Sequence, residues 1–89
     1  HYSPGIPLRI NVKTAHKDEA FVLIKKRKIH SRNNYYLTKI NDLDEAAKSL
    51  YTTLRKIKKD GFKKIAVEKI PNKGLGKTIN DRLNKASNY

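Results

Sequence analysis

The sequence predicts an α/β domain: a mixed, mostly parallel sheet of about four strands with two main helices, in two or three layers. Short apolar runs recur between polar turns at 8–12, 20–24, 35–40 and 62–70. Two longer segments, 42–60 and 75–86, instead repeat apolar residues at the three- and four-residue spacing of a helix. The order strand, helix, strand over 35–70 is the crossover unit that sets its two strands parallel.

Residues 1–7, punctuated by Pro4, Gly5 and Pro7, read as an extended linker, and 8–89 as one domain. Leu8-Arg9-Ile10-Asn11-Val12 alternates apolar and polar, the pattern of a half-buried strand. After a polar turn, Ala20-Phe21-Val22-Leu23-Ile24 is continuously apolar, which suits a strand covered on both faces. A charged loop over 27–34 leads to the third strand at Tyr35-Tyr36-Leu37-Thr38-Lys39-Ile40.

The first helix opens on Asp42-Leu43-Asp44-Glu45, a capping box with an acid three residues after the cap. Leu43, Ala46, Ala47, Leu50, Tyr51, Leu54 and Ile57 form one apolar stripe. Lysines crowd the last turn, where they suit the helix dipole, and Gly61 ends it. A fourth strand follows over 62–70. The last helix places Leu75, Ile79, Leu83 and Ala86 on its buried face.

With 89 residues, 37% of them hydrophobic, the chain builds one modest core and no deep internal active site. It has no cysteine, which excludes disulfides and thiolate metal sites. No apolar run approaches the ~20 residues of a membrane span, and no signal peptide precedes the first strand. A cytoplasmic protein without membrane contact is expected. The chain starts at His1 and lacks methionine, so it reads as part of a longer protein.

A net charge of +13 suggests nucleic acid as a partner, because clustered cations release counterions from phosphate backbones. Lys25-Lys26-Arg27-Lys28 is the densest run, and Lys56, Lys58, Lys59, Lys63 and Lys64 form a second cluster. Sixteen lysines stand against five arginines, however, beside eight asparagines, nine isoleucines and five tyrosines. Lys, Asn, Ile and Tyr share A/T-rich codons, so base composition can load a neutral surface with lysine. Arginine, the better phosphate reader, is scarce, and only Tyr35-Tyr36 pair as base-stacking aromatics. A basic RNA-binding module is therefore the alternative reading.

Gly74-Leu75-Gly76-Lys77-Thr78 stands between a strand end and a helix start, where unpaired N–H groups attract anions. Gly-Lys-Thr is also the tail of a P-loop, but the loop's first glycine falls at Pro71, which has no N–H to offer phosphate. What remains is a weak anion nest, or a tight turn in which Gly74 and Gly76 let helix and strand approach closely. Gly74, Leu75, Gly76 and Arg82 are the candidates for an anion-binding or docking surface. His1, His16 and His30 lie far apart in loops and give no metal-ligand spacing. No nucleophile elbow or carboxylate pair marks a catalytic site.

Three separated motifs carry a family resemblance. Gly74-Leu75-Gly76 followed by Ile79-Asn80-Asp81-Arg82-Leu83 and Ala86, with Ile65-Ala66-Val67-Glu68 before it, resembles the C-terminal end of long, two-domain threonylcarbamoyl-adenylate synthases. His1-Tyr2-Ser3-Pro4 and Pro7-Leu8-Arg9 resemble the interdomain linker and first strand of their accessory domain. Asp44-Glu45-Ala46-Ala47 through Leu50-Tyr51 and Leu54-Arg55 is similar to its long helix.

The resemblance implies a Rossmann-like fold and a parent that joins L-threonine, bicarbonate and ATP into threonylcarbamoyl-AMP for adenosine 37 of tRNA. It implies catalysis by a YrdC-type domain outside this chain. The parent uses ATP with a divalent metal, Mg2+, while this segment holds no cofactor of its own. The expected partners are the YrdC-type domain and the tRNA-modification machinery, with weak tRNA contact. The linker residues His1, Tyr2 and Pro4 would gate the catalytic pocket. The short connections over 13–18 and 27–34 depart from the family pattern and favour a small four-stranded sheet over a doubly wound one.

Overall fold

The computed structural model of the protein describes residues 5–28 and 31–87. In chain order they form β1 (Leu8–Val12), β2 (Ala20–Leu23), β3 (Asn34–Tyr36), α1 (Leu43–Lys59), β4 (Ile65–Glu68) and α2 (Leu75–Ser87). The strands make one sheet in the order β1-β4-β2-β3. Every pairing is parallel, so the sheet carries no antiparallel member. The two loop connections manage this because the strands are short. Seven extended residues reach roughly 24 Å, whereas the five-residue β1 spans only about 17 Å.

Both helices lie on one face. Leu50, Leu54 and Ile57 of α1 and Ile79, Leu83 and Ala86 of α2 pack on Leu8, Ala20, Val22, Ile65 and Val67. Fully burying each of these larger aliphatic side chains stabilises the fold by about 1.5–3 kcal/mol. On the opposite face Phe21, Leu23 and Ala66 form a second cluster, with Val12, Ala15 and Tyr36 against it. The domain is therefore two-layered, its second face closed by loops. This explains the continuous apolar run of β2, all four residues of which are buried.

β1 departs from simple alternation. Arg9 pairs with Ala66 but Val12 pairs with Glu68, three steps on one strand against two on the other. Asn11 takes up the extra residue at φ 59, a left-handed conformation that asparagine tolerates better than most. The bulge turns Val12 away from Leu8 and Ile10 onto the loop-covered face.

The element ends also differ from the sequence pattern. β3 stops at Tyr36, although Leu37 and Thr38 still donate to Leu23 and Ile24 carbonyls. Beyond them the Thr38 hydroxyl accepts from the Ile40 and Asp42 N–H groups, and that turn ends the strand. β4 is confined to Ile65–Glu68 because Phe62 closes the end of α1 by donating to the Ile57 carbonyl. At the start of α1, Asp42 accepts from Asp44 N–H. Glu45 bonds the N–H of Lys39 instead of completing a capping box with Asp42. Asp60 is the C-cap, and Gly61 follows at φ 97.

Candidate functional site

The β4–α2 turn shows why glycine stands at 76. A Cβ there would lie 1.8 Å from the Pro71 carbonyl oxygen, so the first turn of α2 sits directly on the backbone leaving β4. Gly74 has φ 58. Gly76 N–H donates to Lys73 at 3.0 Å and Lys77 N–H to Gly74 at 3.2 Å. Asn80, one turn further on, donates to the Ile70 carbonyl at 2.9 Å and ties the turn down. Leu75, expected on the buried face, is 43% exposed; the buried first-turn position is Gly76.

Arg82 lies seven residues beyond Leu75, roughly 10 Å along the helix. Its Nη1 donates to the Ala47 carbonyl at 3.1 Å and its guanidinium stands 5.9 Å from the Tyr51 ring centre. It joins α2 to α1 rather than standing beside the glycine turn. His1, Tyr2 and Pro4, the linker residues, lie outside the described residues, as does His30. His16 is exposed in the β1–β2 connection, 3.5 Å from a Glu19 oxygen.

Two acids that the sequence reading passed over organise the loop-covered face. Glu19, almost wholly buried, accepts from Arg9 Nε at 2.7 Å, Arg9 Nη2 at 2.8 Å and the His16 N–H at 2.7 Å. The hydrogen bonds from the Arg9 guanidinium and the His16 amide, with the positive charge of Arg9, outweigh burial and pull its carboxyl down to about 2. Glu68, at the end of β4, accepts from Ile24 N–H at 2.5 Å and Arg27 Nη2 at 2.6 Å. Arg27 in turn stacks over Phe21 at 5.3 Å. Each acid pins one loop over the sheet. Only their partners reveal this, and those partners are 10 and 41 residues away in sequence.

Two crevices among the described residues bear on the site. One, of about 610 Å³, lies between the loops over Phe21, with Lys17, Arg27 and Lys28 at its rim. The other, of about 530 Å³, lies where β1 and β4 end against α2 and is lined largely by asparagines. No group of three or more His, Cys, Asp or Glu among the described residues is placed to hold a metal ion. No helix among them is long and apolar enough to cross a membrane.

A parallel sheet with one crossover helix and a second helix on one face, and tied loops on the other, defines a small Rossmann-like α/β domain. The chain belongs to the family described as the C-terminal domain of threonylcarbamoyl-AMP synthase, whose family model matches residues 1–88. Its fold is similar to part of the crystal structure of P. abyssi Sua5 complexed with L-threonine. The TM-score is 0.73 at 24% identity, covering 100% of this chain and 30% of that one. No curated protein sequence matches the chain significantly.

Proposed function

We propose that this chain is the accessory domain of an L-threonylcarbamoyladenylate synthase and is non-catalytic by itself. It docks on a YrdC-type catalytic domain in the cytoplasm and positions the linker carrying His1, Tyr2 and Pro4 over that domain's active site. The whole enzyme makes threonylcarbamoyl-AMP from L-threonine, bicarbonate and ATP for tRNA modification. ATP and its Mg2+ belong to the catalytic domain. The observation that carries this reading is one of extent. The family match takes in residues 1–88, while the whole chain aligns with only 30% of the P. abyssi protein.

Surface detail supports a docking role. Ile40 is 74% exposed on a turn with a tightly held backbone. The Thr38 hydroxyl accepts from Ile40 and Asp42 N–H groups, and Glu45 accepts from that of Lys39. A locked turn that holds an isoleucine into solvent suits an anchor for an apolar pocket on a partner. Leu75 is exposed at the same carboxyl edge of the sheet. The lysine clusters, by contrast, divide. Lys25 and Lys26 follow the carboxyl end of β2, whereas Lys63 and Lys64 precede the amino end of β4. That separation favours docking over a continuous phosphate track.

The test pairs this chain with a YrdC-type domain supplied as a separate polypeptide. The chain alone should release no pyrophosphate from L-threonine, bicarbonate and ATP, and calorimetry should show association that Ile40→Lys weakens. Pyrophosphate release by the chain alone would overturn the non-catalytic assignment. Absence of association would overturn docking. Titration with tRNA at low salt checks the RNA alternative, since binding by phosphate contacts weakens steeply as salt rises.

A further inference from the structure

We propose that the crevice between the two loops over the sheet receives an extended acidic segment of a partner protein. It lies on the face opposite the helices, so the inference does not depend on the docking reading. One wall is the connection from β1 to β2, with Thr14, Ala15 and Lys17. The other is the connection from β2 to β3, with Arg27, Lys28 and Ser31. Both are held in place. Glu19 fastens the first through Arg9, and Glu68 fastens the second through Arg27. The Asn33 amide then donates to the Lys17 carbonyl at 3.0 Å and joins one loop to the other. Fixed walls spare a ligand part of the ordering cost of binding.

Charge gives the crevice its preference. The two connections carry exposed Lys13, Lys17, Lys25, Lys26, Lys28 and Arg32. None of these forms an ion pair with a carboxylate among the described residues. The acids on the same connections are taken by cations from elsewhere, Glu19 by Arg9 and Asp18 by Lys64 at 3.2 Å. Like charges on neighbouring loops repel one another, and an anionic chain laid between them relieves that repulsion.

The lining favours carboxylates over phosphates. Both helices pack on the other face, so their N-terminal N–H groups do not line the crevice. The Arg27 fork, which would grip a phosphate, is engaged by Glu68 and lies over Phe21. Nucleic acid would need a ring on which to stack. Phe21 is 7% exposed beneath that guanidinium, and Tyr36 packs against the same cluster. Lysine ammonium groups are instead point charges on flexible stems, which suit carboxylates spread along a chain. Ala15 and the methylene stems of Lys17 and Lys28 give small apolar side chains of that chain a surface to lie on.

The experiment titrates a short peptide of alternating glutamate and alanine into the chain, followed by calorimetry and by backbone amide shifts in nuclear magnetic resonance spectra. Saturable binding is expected, weakening as salt rises, with the shifts concentrated around Lys17 and Asn33. The glutamine counterpart of the peptide should bind about tenfold more weakly. Lys17→Glu combined with Lys28→Glu should also cost about tenfold. Lys77→Glu combined with Lys85→Glu, on α2 across the sheet, should change nothing. These lysines are all exposed, so neither pair disturbs the core. The proposal is overturned if binding does not saturate, if the two peptides bind alike, or if the α2 pair matters as much as the loop pair. A short oligonucleotide of equal charge binding more tightly than the peptide would overturn it too.

Discussion

Arg9 reaches over Ala66 to hold Glu19, its Nε and Nη2 donating to the two carboxylate oxygens at 2.7 and 2.8 Å. The register places Arg9, Ala66 and Phe21 side by side on β1, β4 and β2. Only a small residue on the middle strand lets the guanidinium cross. The His16 N–H completes the carboxylate's shell, so β1 and the connection leading into β2 are fastened at one point.

Glu19→Gln keeps the shape but removes the charge from these bonds. Charged hydrogen bonds of this kind are worth about 1.5–3 kcal/mol, so a loss of about 2 kcal/mol is expected in urea unfolding at neutral pH. An unchanged midpoint would show that the bridge is replaceable by water.

The same group sets an acid limit. Its folded carboxyl is held at about 2, below the ordinary 4.5, so between these values the unfolded chain binds the extra proton. The stabilisation is therefore complete above pH 4.5 and is lost as pH falls through about 2. Thermal melts from pH 6 to pH 2 should show this decline, and Glu19→Gln should flatten it. Parallel curves for the two proteins would place the acid sensitivity elsewhere.

Tyr35 titrates in the opposite sense. Burial, aided by its bond to Asp60 at 2.6 Å, raises the phenol from 10.0 to about 12. The neutral phenol is the form the fold favours. Its contribution is complete below pH 10 and lost as pH rises through about 12. Phenolate absorbance should contain a late step near pH 12 that disappears in Tyr35→Phe. A Tyr35 midpoint near 10 in the folded chain would contradict the burial.

Gly76→Ala should be the costliest of the glycine substitutions. Its methyl group meets the Pro71 carbonyl oxygen at 1.8 Å, and backbone on one side or the other must move. A loss of about 2–3 kcal/mol is expected from such overpacking. Gly61→Ala meets nothing within 4 Å, and only its φ of 97 opposes it. About 1 kcal/mol is expected there. Equal losses on chemical denaturation would remove the contact argument.

At Asn11 the conformation can be tested without disturbing a core contact. Asn11→Gly should keep the bulge and hold stability, since glycine takes φ 59 freely. Asn11→Val should cost about 1–2 kcal/mol, because a branched residue resists the left-handed region. If valine were tolerated as well as glycine, the strand could lose its bulge at little cost.

The sequence by itself determined whatever depends on near neighbours. The apolar stripe of Leu50, Leu54 and Ile57, the cap at Asp42 and the turn at Gly61 act within a few residues, so α1 was legible almost to its ends. The close approach at Gly76 was legible too, because a glycine between strand and helix has few other reasons to be there. Tertiary structure alone decided the parallel course of β1 and β2 beside the β3–α1–β4 crossover, the single helical layer, the turning of Val12 and the partners of Glu19 and Glu68. Leu75 likewise kept the helical spacing, yet packing buried its neighbour Gly76 and left it exposed. Those outcomes depend on register between strands distant in sequence. A slip of one residue exchanges the faces of the sheet without altering any local pattern.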